Sequence, residues 1–160
     1  MSEADKKIPR RQQILETLAQ ELEKSPGERI TTAGLARAVG VSEAALYRHF
    51  PSKAKMFEAL IEFIEDSIFG LTNRILQEEQ NCSARCEKIM LLVLGFAGRN
   101  PGLSRLLVGD VLVGETERLR TRISQFYERL ETQFKQVLRE GEMNAELTAS
   151  LPIAPTANLV

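Results

Sequence analysis

Apolar residues return every three or four positions along nearly the whole chain, and that period belongs to helices, not strands. Over the last long stretch Leu119, Ile123, Phe126, Leu130, Phe134 and Val137 fall 4, 3, 4, 4 and 3 positions apart. Near the start, Ile14, Leu15, Leu18, Ala19 and Leu22 line one face of a segment from Arg10 to Lys24. No stretch shows the alternation of a half-buried strand. The expected fold class is therefore all-α. With 160 residues, 43% hydrophobic and 27% charged, the chain suits one globular domain or a small domain fused to a larger one.

Turn residues and caps mark the expected helix ends. Residues 1–9 are polar, end in Pro9, and read as a flexible arm. Ser25-Pro26-Gly27 stops the first helix. Thr31 is placed to cap a short helix running to about Val39, and Gly40 suits the left-handed position that closes it. Ser42 caps a second short helix over 43–49; Pro51-Ser52 breaks it, and Ser52 caps a third. That third helix is long, about 53–80, with Met56, Phe57, Leu60, Ile61, Ile64, Ile68, Leu71 and Ile75 on its buried side. Asn81 to Ser83 reads as a loop. The next helix, 84–98, carries Ile89, Met90, Leu91, Leu92, Val93, Leu94 and Phe96, and apolar residues on every side imply burial on most of them. Arg99-Asn100-Pro101-Gly102 ends it. A shorter helix over Leu103–Val113 and a long one from Glu115 to about Glu140 follow. The tail 141–160 holds Pro152 and Pro155 and stops in mid-pattern at Leu159-Val160.

Composition removes several function classes. No apolar run reaches the length needed to span a bilayer, and MSEADKKIPRRQQ has no apolar stretch after its basic residues, so neither a membrane span nor a secretory signal is expected. Cys82 and Cys86 are the only cysteines, too few for a stapled extracellular framework. A cytoplasmic location is expected. His49 is the only histidine and tryptophan is absent, which leaves little room for metal-dependent or histidine-based catalysis. No enzyme activity and no cofactor are expected. The net charge of −1 hides an asymmetry: within 29–55, Arg29, Arg37, Arg48, Lys53 and Lys55 face only Glu43. A basic region on a mildly acidic chain suits an anionic partner met at one face.

Residues 32–50 have the spacing of a helix-turn-helix. Leu35 and Ala36 face the partner helix, Val39 fills the crossing, Gly40 makes the turn, Val41 packs beneath it, and Leu46 and Phe50 point inward. The second helix would then lie in the major groove of DNA. A helix so short cannot bury Ser42, Glu43, Ala44, Ala45, Tyr47 and Arg48 together. Ala44 and Ala45 allow close approach to base edges and thymine methyl groups. Tyr47 and His49 can donate to phosphates. Lys53 opposes the dipole of the helix it begins, a placement that makes more sense with a phosphate bound.

The string T-x-x-x-L-A-x-x-x-G-V-S-x-x-x-L-Y-R-H-F-x-S-K over residues 31–53 resembles the DNA-binding domain of the tetracycline-repressor-like (TetR) family. The resemblance implies an all-α dimer whose first three helices bind one half of a palindrome. Carried over by position, Thr31, Thr32, Ser42, Ala44, Tyr47, Arg48, His49 and Lys53 would contact DNA. A second block, LLVLGFAGRNPGLSRLLVG, together with VSEAALYRHFPSKAKMFEALIEFIEDSI, is similar to a specialised branch of that family acting in nucleoid occlusion. That branch binds scattered DNA sites and, while bound, antagonises polymers of the division protein FtsZ. By the same resemblance Phe63, Leu92, Gly95, Arg99 and Asn100 would face FtsZ, and the protein would act as a homodimer, with pairs of dimers on DNA. The implied organisation is an arm (1–9), a DNA-binding domain (10–54) and a helical partner-binding and dimerisation domain (55–160) lacking its last helices. The chain departs from the branch near Leu71, where members carry Arg or another polar residue and the neighbouring cation here is Arg74.

Other candidates carry less. Cys82 and Cys86 lack a nearby His or second pair for zinc, and His49 has no nucleophile beside it. Asp110, Glu115 and Glu117 read as helix-surface acids, and Phe126, Tyr127 and Phe134 as core. Two rival functions stay open at this point. One is a repressor of a local operon with a small-molecule inducer held among the middle helices. The other is a protein-interaction module whose DNA motif is vestigial.

Overall fold

The computed structural model describes residues 8–26, 28–112 and 117–144. Within them the chain forms seven α-helices and one 3-10 turn, and no strand. They are α1 (Arg10–Lys24), α2 (Thr32–Val39), α3 (Glu43–His49), α4 (Lys53–Glu78), α5 (Cys82–Arg99), α6 (Pro101–Leu107), the 3-10 turn Asp110–Leu112, and α7 (Glu117–Met143). The all-α expectation holds, and the limits of α1, α2 and α3 fall where their caps and breakers place them. The arm apart from Ile8 and Pro9, and the tail from residue 145, lie outside the described residues.

The helices sort into two compact units, each assembled from two stretches of chain. The first gathers the residues up to Ile61 together with Pro101–Leu119. Its hub is α1, which packs against α2, α3 and α6. Ile14, Leu18 and Leu22 of α1 are fully buried, as their spacing demands, alongside Leu35, Ala36, Leu46 and Phe50. A guanidinium–ring contact adds to this, with Arg11 4.7 Å from the centre of the Phe50 ring. Helix α6 seats directly on the α1 backbone. A Cβ at Gly102 would stand 2.2 Å from the Ala19 carbonyl oxygen, so only glycine fits there. Beyond it, Arg105 donates from Nη1 to the Leu22 carbonyl and, at 3.2 Å, to that of Ser25. Those are carbonyls at the C-terminal end of α1, where the helix leaves its last acceptors without intrahelical donors.

The second unit comprises residues 62–100 and, among the described residues, 120–144. Ile64, Ile68 and Phe69 of α4 are buried, as are Ile123, Phe126, Phe134 and Val137 of α7. The Phe69 and Phe126 rings meet at 5.4 Å between centres, and the Arg129 guanidinium lies 3.9 Å from the centre of Phe69. Arg85 of α5 gathers three groups: it donates to the Glu79 and Leu76 carbonyls at 2.6 and 2.9 Å and pairs with Glu140 of α7 at 2.8 Å. One side chain thus caps the end of α4 and ties α5 to α7.

Several expectations are corrected. Asn81 is an N-cap, not a loop residue: its side chain accepts from the Ala84 N–H at 2.9 Å, so α5 starts at Cys82 instead of residue 84. The helix expected over Leu103–Val113 ends at Leu107, because Gly109 takes φ +78° and starts a 3-10 turn. On α4, Leu71 is exposed and Thr72 takes the buried position. The Thr72 hydroxyl has no hydrogen-bond partner there. Most of all, α5 is not buried on most sides. Cys82, Ile89 and Phe96 are covered, while Leu91 and Leu94 are 61% and 65% exposed. Apolar residues on every side of a helix permit full burial but do not supply the elements that would cover it.

Candidate nucleic-acid interface

The helix-turn-helix is set by three short-range interactions. Thr31 Oγ1 accepts from the Gly34 N–H at 3.0 Å and so starts α2. Gly40 closes α2 at φ +80°, donating to the Ala36 and Arg37 carbonyls, while the Val41 N–H reaches the Ala36 carbonyl at 2.9 Å. This is a left-handed helix stop in which two successive amides fold back on the last turn. Ser42 Oγ then accepts from the Ala45 N–H at 3.1 Å and starts α3. Leu46 anchors α3 from beneath and Phe50 closes it, both with almost no exposure.

With that side held, the opposite side of α3 is open. Glu43, Ala44, Tyr47, Arg48 and His49 are all exposed, and Ala45 is half-buried. Thr31 and Ser42 are exposed at the two helix starts. Their oxygens are engaged as acceptors in capping, which leaves each hydroxyl proton able to donate outward to a phosphate. Ser52 caps α4 by accepting from the Lys55 N–H at 3.2 Å. Lys53, the first residue of α4, lies with its ammonium 5.5 Å from the centre of the buried Phe57 ring. Every DNA-facing candidate thus falls in the first unit, on α3 or at a helix start.

Two features escape the sequence motif. The Thr32 hydroxyl donates to Glu43 Oε2 at 3.2 Å, joining the start of α2 to the start of α3. A phosphate contact from Thr32 would compete with that bond. The only sequence signal was that Glu43 is the one acid among five basic residues in 29–55. Gly102 and Arg105 are the other omission, because nothing local to α6 announces that it packs on α1.

The remaining candidates belong to the second unit. Leu92, Gly95 and Arg99 share one face of α5 by their spacing of three and four. The Arg99 side chain folds back so that Nη2 lies 3.7 Å from where a Gly95 Cβ would be; nothing else crowds that position. The space beside Gly95 is thus taken, within this chain, by Arg99. Asn100 caps α5, donating from Nδ2 to the Phe96 carbonyl at 2.8 Å. Phe63 stands on α4 with 53% of its surface exposed. A different side of α5 forms a groove of about 410 Å³ with Leu138 of α7, lined by Cys82, Cys86, Met90, Leu91 and Leu94. The Cys86 thiol there is pushed up to about 11 by burial and by the neighbouring Cys82, and Cys82 donates to the Val137 carbonyl at 3.4 Å. Among the described residues no group of three or more His, Cys, Asp or Glu could hold a metal ion. Nor is any helix long and apolar enough to cross a membrane.

Comparison with known proteins agrees with this geometry. Residues 14–60 match the family of bacterial regulatory proteins of the tetR type, and residues 80–160 match the tetracyclin repressor-like C-terminal domain of SlmA-like proteins. A protein of Marinomonas sp. (strain MWYL1) named nucleoid occlusion factor SlmA is 63% identical over 98% of this chain and 80% of its own length. A protein of the same name from Alteromonas mediterranea is 59% identical over the same shares. Among solved structures, the MbdR regulator of Azoarcus sp. CIB superimposes with a TM-score of 0.80 at 17% identity, covering 94% of this chain and 80% of that one. The ketosteroid transcriptional regulator KstR2 of Mycobacterium tuberculosis gives 0.76 at 19%, covering 95% and 78%. Those two likenesses speak for the fold. The identity through both family regions carries more: the chain belongs to the nucleoid occlusion factor SlmA branch of the TetR family of DNA-binding regulators.

Proposed function

We propose that this nucleoid occlusion factor holds palindromic DNA through α2 and α3 and, once on DNA, binds FtsZ and keeps the division septum from assembling over the chromosome. The observation that carries the DNA half is the exposed side of α3, held outward by Leu46 and Phe50 beneath it. Ala44 meets thymine methyl groups and base edges. Thr31, Ser42, Tyr47, Arg48, His49 and Lys53 meet phosphates and fix the register. Thr32 acts beside them through Glu43. The FtsZ half rests on the relationship to proteins named SlmA and on the chemistry of the α5 end. Phe63 and Leu92 supply apolar surface, Gly95 leaves room, and Arg99 offers a guanidinium to a carboxylate-bearing segment. Asn100 holds the helix end in place.

The protein works by binding, as a homodimer, with no catalytic step, in the cytoplasm on the nucleoid. Each dimer places two α3 helices on one palindrome, and two dimers share a longer site. Helix α4 carries Lys53 at its start and Phe63 further along, so one element serves both partners. The test is fluorescence anisotropy of a labelled FtsZ C-terminal tail peptide, titrated with the chain, with and without a palindromic duplex bearing a second label. Tail binding that tightens with duplex supports the proposal. Duplex bound with the tail ignored in both conditions refutes the FtsZ half, and equal tail affinity with and without duplex refutes the coupling.

A further inference from the structure

Glu43 is an anomaly at a surface meant for DNA. It is exposed, it opens the helix that enters the groove, and it is the one acid between Arg29 and Lys55. Phosphate oxygens repel a carboxylate and offer it no proton. The floor of the major groove is mostly acceptors as well: N7 and O6 of guanine, N7 of adenine, O4 of thymine. Only two groups there donate, the exocyclic amines of cytosine and adenine. The adenine amine is flanked by acceptors on both sides, its own N7 and the O4 of the paired thymine, which a second carboxylate oxygen would oppose; the cytosine N4 amine has an acceptor on one side only, O6 of the paired guanine, and the C5–H on the other. A carboxylate at this position therefore has one favourable target.

The side chain is also prepared for it. A free glutamate has three rotatable bonds to order on binding, at a cost in entropy. Here Oε2 is already engaged by the Thr32 hydroxyl at 3.2 Å, from the neighbouring helix and eleven positions away in sequence. The second oxygen, Oε1, remains for an incoming donor. The first residues of a helix in this motif are the ones that reach base edges. Resting on the DNA-binding reading above, we infer that Glu43 reads sequence: it accepts from a cytosine N4 amine at one position of each half-site, and Thr32 is the residue that positions it. The same carboxylate weakens binding to DNA that lacks cytosine at that place, so it sharpens discrimination from both directions.

The experiment is selection of bound duplexes from a randomised pool by the full 160-residue chain, followed by anisotropy titrations on single-base variants of the selected site. Salt-dependent binding by the unmodified chain is read first. Its absence would overturn the DNA-binding proposal and this inference with it. Given binding, the unmodified chain is expected to prefer cytosine by about ten-fold at one position per half-site. Glu43→Ala abolishes the preference at that position alone, and binds unrelated duplex more tightly. Glu43→Gln moves the preference to adenine, which pairs with an amide. Thr32→Val blunts the preference without moving it. A profile for Glu43→Ala matching that of the unmodified chain at every position would overturn the inference while leaving DNA binding intact. So would a uniform loss of affinity across all sequences, the signature of a merely structural role.

Discussion

Helix α3 and helix α5 are both exposed along one side, but for opposite reasons. Helix α3 has seven residues and one fully buried anchor, Leu46, and everything else about it is decided within a few positions: Ser42 starts it, Phe50 closes it, and Gly40 aims it. Helix α5 has eighteen residues and a start fixed as locally by Asn81, but its sides are decided by other parts of the chain. Where α4 and α7 pack against it, through Ile75, Phe134 and Val137, Ile89 is covered; along the groove bordered by Leu138 of α7, Leu91 and Leu94 stay largely exposed. Exposure on α3 comes with polar or small side chains that suit a charged polymer. Exposure on α5 comes with leucine and methionine, and the residues proposed to face a partner are confined to one side and the C-terminal end.

That contrast can be tested within one helix. Ile89→Ala should lower stability by about 2–5 kcal/mol, the range for truncating a fully buried branched side chain, whereas Leu94→Ala should stay within about 0.5 kcal/mol. Thermal unfolding of the two variants reads the difference; similar losses would mean that Leu94 is covered. Next in size is a pair of glycines. Gly102→Ala drives a Cβ into the Ala19 carbonyl and should cost about 3 kcal/mol, by the scale of overpacking. Gly95→Ala meets only a movable guanidinium and should stabilise α5 by up to about 1 kcal/mol. The same substitution thus changes sign between α6 and α5, and melting curves at one protein concentration check it.

A smaller effect separates phosphate contacts from base contacts. Lys53→Ala should weaken every duplex alike and reduce the slope of log affinity against log salt by about one. A changed base preference with an unchanged slope would remove Lys53 from the phosphate set. The smallest effect lies at the turn between α4 and α5. Glu79 is held near pKa 2, against an ordinary 4.5, mainly by its bond to Lys88 at 2.8 Å and then by the Asn81 amide. A depressed carboxyl stabilises the folded chain above its ordinary value, and that contribution drains away as pH falls from 4.5 toward 2. Lys88→Met should shrink this acid limb in pH titrations of unfolding by bringing neutral stability down toward its value in acid, and both changes should be small, since the pair is exposed.

How much of this was legible follows from the same contrast. Thr31, Gly40, Ser42 and Ser52 each act on a backbone group three or four residues away, so their roles can be read along the chain. Asn81 is equally local, but a loop expected over Asn81 to Ser83 hides its capping role. Leu71 is exposed because a step of three or of four after Ile68 fits a helix equally well, and the structure takes the step of four, to Thr72. The open side of α5, the seat of Gly102 on Ala19, and the Thr32–Glu43 bond depend on which distant segment arrives, and no local pattern encodes that. No local pattern marks the proposed partner residues on α5 for that role. Gly95 in isolation is only an unexplained glycine in a helix.

The seating of α6 on α1 also has a consequence for the order of synthesis. The unit that carries α2 and α3 is not a continuous piece of chain: α6, Pro101–Leu107, is made after the whole of α5. As the chain leaves the ribosome, α1 emerges early but waits for Gly102 and Arg105 before its final turn is capped. A nascent chain arrested before residue 101 holds the complete helix-turn-helix motif on an unfinished support. Transplanting the helix-turn-helix into another scaffold would for the same reason require two grafts, the N-terminal helices and the short α6 that clamps α1.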